Sequence, residues 1–151
     1  MSQTFEMNQF ALSQIKGTIA YGLNTNVLSA RIKSDSASTF VGGSAVKIVD
    51  VASDGLPIID KASATDKIFG FIVYNKKGNV PTANQVVDVA FDNSIINLEA
   101  SASIAGGALL EIVASGDTVI TNAGTNTVVG RALKKASSGD IIPVLVFTSR
   151  T

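Results

Sequence analysis

Two stretches of this chain, "VGGSAVKIV" (residues 41–49) and "AGGALLEIV" (residues 105–113), are nearly the same phrase. Gly43 in the first answers Gly107 in the second, and Ile48-Val49 answers Ile112-Val113. Walking forward, Gly55 in "SDGLPIID" meets Gly116 in "SGDTVIT", both in turn-forming company. Asp-Gly and Ser-Gly-Asp between apolar runs are hairpin signals, because glycine enters positive φ without steric cost. "TDKIFG" (65–70) then falls on "TNTVVG" (125–130) with no gap, while the alignment carried on from Gly55 and Gly116 places Asp60-Lys61 opposite Thr121-Asn122. Both copies end in a Val-rich run, "VVDVAF" closing at Phe91 and "IIPVLVF" closing at Phe147. An ordered series of glycines, turns and strand ends predicts two similar β-units packed together, one over residues 41–91 and one over 104–147.

The local patterns agree. "VVDVAF" sets Val87, Val89 and Phe91 on one face and Asp88 and Ala90 on the other, a half-buried strand. "IIPVLVF" is apolar on both faces, as a strand covered on both sides is. Pro143 within it has no N–H for a ladder and predicts an edge or a bulge. "VLSARIK" (27–33) alternates more weakly. "EASASIAGGALLEI" (99–112) is rich in Ala, but its adjacent glycines argue against a helix. Runs of Val, Ile and Thr broken by Gly, Asn and Asp at short intervals predict an all-β barrel or sandwich. Residues 1–40 stand outside the repeat as an N-terminal arm with leading strands, and 41–151 form the repeated β-domain. "TFEMNQFALSQIKG" reads either as a short helix capped at Gly17 or as an arm that orders on a partner.

Composition narrows the function. The 151 residues are 46% hydrophobic and only 16% charged, against about 25% charged in an ordinary soluble domain. Sparse charge suggests that other chains cover part of the surface. Twelve basic residues balance twelve acidic ones, with no basic stripe of the kind phosphate binding requires, so no nucleic-acid partner is expected. No apolar run is long enough for a membrane span, and Glu6 sits where a signal peptide would be basic; the reading is a soluble chain made in the cytoplasm.

Catalytic chemistry has little to work with. There is no Cys and no His, which removes the Ser-His-Asp triad, the Cys nucleophile and the usual zinc ligands. The acids are scattered and mostly in turns (Asp54, Asp92, Asp117, Asp140), where an aspartate bonds its own backbone. "VGGS" and "AGGA" lack the Lys-Ser/Thr of a phosphate-cradling loop, and the acids near Asp92-Asn93 lack calcium-site spacing. No catalytic, metal or cofactor-binding residue is assigned, and no enzyme is expected. One alternative of another class exists: "IIDKAS" (58–63) resembles the segment around the modified lysine of lipoyl domains, which would put Lys61 at a hairpin tip carrying a swinging cofactor. A carbohydrate-binding module is disfavoured by 6% aromatic content and no Trp.

The order of segments "TDKIFGFIVYNKKGN", "VVDVAF", "NLEASASIAGGALLEIV" and "VVGRALKKASSGDIIPVLVF" resembles the structural cement, or head decoration, proteins of tailed bacteriophages. The likeness runs from Ala45 to Phe147 and is densest in Gly130–Leu133, "SSGDIIPVLV" and "EASASIAGG". It implies a small β-barrel-like virion protein on the outer surface of the capsid, clamping neighbouring capsomers. Its implied partners are the major capsid protein and itself, as a trimer ahead of a dimer, and it needs no cofactor. A phage tail or baseplate β-module is the alternative within the same biology. Members of such families anchor through an N-terminal arm, so Phe5, Phe10, Leu12, Ile15, Ile19 and Tyr21 are the expected capsid contacts.

Overall fold

The computed structural model describes residues 15–20, 26–74 and 80–147. Among them there is no α-helix, and the all-β expectation holds. Unit one comprises β1 (Val27–Ile32), β2 (Ala45–Val51), β3 (Pro57–Lys61), β4 (Gly70–Ile72) and β5 (Val86–Ala90). They close into a barrel in the order β1-β3-β2-β4-β5. Unit two comprises β6 (Ile95–Glu99), β7 (Leu109–Ile112), β8 (Val119–Thr121), β9 (Gly130–Ala132) and β10 (Ile141–Val146). These form a sheet in the order β6-β10-β9-β7-β8.

The two orders are the same order. β2 pairs with β3 and β4 as β7 pairs with β8 and β9, down to the register: Val46 faces Lys61 and Gly70 where Leu110 faces Thr121 and Gly130. Even the closing contact recurs. Ile32 pairs in parallel with Ile59, and Ala100 forms a parallel bridge to Val119. β1 is therefore the counterpart of β6, and unit one begins at Val27 rather than at residue 41. The boundary moves because the first strand pairs with the last of its unit, β1 on β5 and β6 on β10, a non-local contact that carries no local turn signal. The last strands also shift by one residue: Val89–Ala90 matches Val144–Leu145, so Phe91 answers Val146 and not Phe147. Lys61 likewise answers Thr121.

Two glycine pairs explain the shared phrases. Gly43 and Gly107 both turn the chain into β2 and β7 at positive φ, 87° and 83°, a region other L-residues enter only with strain. Gly70 and Gly130 allow close approach instead. A Cβ on Gly70 would stand 2.3 Å from the Ala90 carbonyl oxygen, and one on Gly130 would stand 2.4 Å from that of Leu145.

Side chains fill two cores. Inside the barrel lie Ala30, Ile32, Phe40, Val46, Ile59, Ile72 and Val89. The second core holds the inner face of unit two, including Ile96, Leu110, Ile112, Ala132 and Val144, together with Ala45, Phe71 and Ala90 from the outer face of unit one. The end of β5 is thus covered on both faces, with Val89 pointing into the barrel and Ala90 into the contact between units. β10 departs from expectation twice. It is not an edge, since it lies between β6 and β9. Pro143 is tolerated because β9 ends at Ala132; the Pro143 carbonyl accepts from Leu133 N (3.1 Å), and the missing N–H falls where that ladder stops. Nor is β10 covered on both sides: Ile142, Val144 and Val146 are buried, whereas Ile141, Pro143 and Leu145 are half-buried.

Candidate interaction surface

The arm residues that the structure describes are laid along β6. Gly17 N donates to Asn97 O (2.7 Å), Asn97 N to Thr18 O (2.9 Å), and Ala20 N to Ile95 O (2.8 Å). Ile19 bridges antiparallel to Ile96 and packs against the second core. The Asn97 side-chain amide donates to Thr18 Oγ1 (3.0 Å), and Lys16 reaches Glu99 at 3.4 Å. Thr18 turns back through N and Oγ1 to the Ile15 carbonyl (3.1 and 2.6 Å). This segment covers an edge strand with main-chain bonds, a geometry that blunts unwanted sheet pairing. Gly17, expected as a helix cap, sits in this turn at φ 83°. Of the six expected capsid contacts, Ile15 and Ile19 are thus half-buried on their own chain. Phe5, Phe10, Leu12 and Tyr21 lie outside the described residues.

A polar clasp joins the units. The turn between β7 and β8 places Asp117 so that Oδ1 accepts from Ser44 Oγ (2.6 Å) and Oδ2 from Lys61 Nζ (2.8 Å). Lys61 Nζ also donates to the Thr39 carbonyl (2.6 Å), and Ala45 N donates to Gly116 O (2.8 Å). Lys61 is therefore at the end of β3 with its amine engaged, not at a hairpin tip, and the lipoyl-like reading loses its geometry. On the far side, Thr127 N and Oγ1 donate to the carbonyls of Ala64 and Asp66 (3.2 and 2.9 Å).

The carboxylates act as braces. Buried Glu111 accepts from Asn122 Nδ2, Ala123 N and Asn126 Nδ2 at 3.0, 3.0 and 2.8 Å, tying down the loop after β8. Asp54 accepts from Arg31 (2.9 Å) and Leu56 N (3.1 Å), and these bonds, the guanidinium first, hold its carboxyl below the usual range. The Ser63 N–H, then the Lys47 ammonium, do the same for Asp66. Asp140 accepts from Ser137 N (2.9 Å), as a turn aspartate does. Among the described residues no group of three or more acids is placed to hold a metal ion. No helix there is long and apolar enough to cross a membrane.

What the molecule offers a partner is surface. The β2–β3 hairpin carries a bulge between Ile48 and Asp50, and Ile48, Val49 and Val51 are exposed along it. Beside it a cleft of about 540 Å³ is lined by Arg31, Lys33, Asp35, Val49, Asp50 and Ile58. On unit two, Leu109 and Leu133 are exposed. Sequence reasoning missed both patches: apolar residues 48, 49 and 51 read as strand core, yet β2 is exposed on both faces from Ile48 to Val51.

No protein-family description matches the sequence, and no curated protein is detectably similar to it. Among solved structures, the chain is similar to the N base of the head fiber gp8.5 of bacteriophage phi29. The TM-score is 0.55 and the identity 16%, over 82% of this chain and 94% of that one. What the two share is the fold, in nearly its full extent.

Proposed function

We propose that this chain is a non-enzymatic structural protein of a phage head, a decoration or cement protein that binds the outer surface of the capsid and clamps neighbouring capsomers. The observation that carries the reading is the likeness of its doubled β-fold to a phage head fiber base, which covers 94% of that structure. The neighbour belongs to a head, which favours this role over a tail or baseplate module. The residues are consistent with it: Glu111, Asp117 and Lys61 brace the fold, and apolar side chains stand exposed on both units.

Made in the host cytoplasm, the protein would join the virion by docking on the major capsid protein. Its effect is distributed. Modest contacts repeated over many copies resist separation of the shell under internal DNA pressure, with no bond made or broken. The arm beyond Ile15 supplies the anchor in this reading, with Phe5, Phe10 and Leu12 as its apolar contacts. Self-association, as a trimer ahead of a dimer, would present several arms at once and raise avidity without new contacts. The test is heat-induced DNA release from heads with and without the protein. Decorated heads should hold their DNA to a higher temperature; equal release temperatures would reject the cement role.

A further inference from the structure

The two units share one fold but are not equally covered. In unit one, Ala45, Phe71 and Ala90 form a cross-strand row on the outer face of β2, β4 and β5, and all three are buried against unit two. By register the matching row in unit two is Leu109, Arg131 and Leu145. That row is open: Leu109 is 39% exposed, Arg131 is exposed and Leu145 half-buried, with Leu133 beside them 43% exposed.

The hairpins show the reverse. Ile112 of β7 is 1% exposed within the shared core, while its counterpart Ile48 of β2 is 48% exposed and Val51 beyond it 62%. The β7–β8 turn is seated on unit one through Gly116 and Asp117. The corresponding β2–β3 turn has nothing within 4 Å of where a Gly55 side chain would stand. Unit two thus has an unused receiving row, and unit one an unused inserting hairpin.

We propose that a second copy of this chain supplies the missing mate. Its β2–β3 hairpin seats on the Leu109–Arg131–Leu145 row, and the join made within the chain is repeated between chains, head to tail. Charge agrees with shape. Arg131 stands where unit one has Phe71, and the incoming hairpin carries Asp50 between Val49 and Val51. A contact between two different patches closes into a ring or runs on as a filament, which suits several arms presented together. This deepens the self-association part of the reading above but rests on strand register, not on capsid binding.

Sedimentation velocity of the purified full chain, without heads, tests it. The wild type should show mass rising with concentration above one protomer. Leu109→Glu and Val51→Glu, each at an exposed position, should each remain monomeric. An equimolar mixture should recover a two-chain species and nothing larger, because each variant keeps the patch the other has lost. Should either variant lose its circular-dichroism signature, the charge reversals Arg131→Asp and Asp50→Arg replace them: each alone weakens association about tenfold or more, and together they restore it. A monomeric wild type, a variant that assembles unchanged, or a mixture or reversal pair without recovery would overturn the proposal. Any of these results leaves capsid binding by single copies standing.

Discussion

A lysine can carry a cofactor, titrate in a site or tie two surfaces together, and Lys61 does the last. Its partner Asp117 also accepts from the fully buried hydroxyl of Ser44. Asp117→Ala therefore strands the Ser44 hydroxyl and leaves Lys61 with only the Thr39 carbonyl, and the expected loss is about 1–3 kcal/mol, read as a lower urea midpoint at unchanged slope. Asp66 makes a pH-dependent contribution. The Ser63 N–H, then Lys47, hold its carboxyl below the ordinary value. A folded pKa lower than the unfolded one, about 3.9, stabilises the fold above that value, and the contribution is lost as pH falls through the folded pKa. Asp66→Asn should be less stable than wild type at neutral pH, with the gap closing below about pH 4; a gap constant with pH would reject that assignment. Turn aspartates were legible as backbone braces, and Asp54 and Asp140 are such braces. The Asp117–Lys61 pair was not, because its members are 56 residues apart in different units and no local pattern brings them together.

At the level of elements, the glycines that made the repeat visible have two separate physical jobs. Gly70→Ala and Gly130→Ala each drive a Cβ into a carbonyl of the neighbouring strand. Both should cost about 3 kcal/mol and to a similar extent, since their surroundings match. Gly107→Ala meets no atom within 4 Å but sits at φ 83°, so its cost should be backbone strain alone, about 1 kcal/mol. Thermal melts of the three variants check the ranking; a mild Gly70→Ala would contradict the close packing of β4 on β5. The glycine phrases sufficed for β2 to β4 and β7 to β9. They could not extend the repeat to β1, where Val27–Ile32 and Ile95–Ala100 share a pairing pattern but little side-chain identity. The edge or bulge expected from Pro143 does not occur: β10 is an interior strand, and the missing N–H is tolerated because β9 ends opposite it.

For the whole molecule, Glu111, Asp66 and Asp140 hold loops and turns, and Asp117 holds the join between units. Apolar side chains stand exposed on both units, and residues 15–20 lie along β6. Residues 15–20 bond to β6 and Ile19 packs on the core, so removal of the arm should stop before Ile15. A chain lacking residues 1–14 is expected to keep the wild-type melting temperature and to lose head binding; unchanged binding would shift the contact from the arm to the β-domain. A docking face was the least legible level, since such a face is defined jointly with a surface that this chain does not encode.

The most direct measurement is co-sedimentation of the purified protein with expanded, undecorated heads. Saturable pelleting at a fixed number of copies per head is the predicted result. Protein that stays in the supernatant at every concentration would contradict the account.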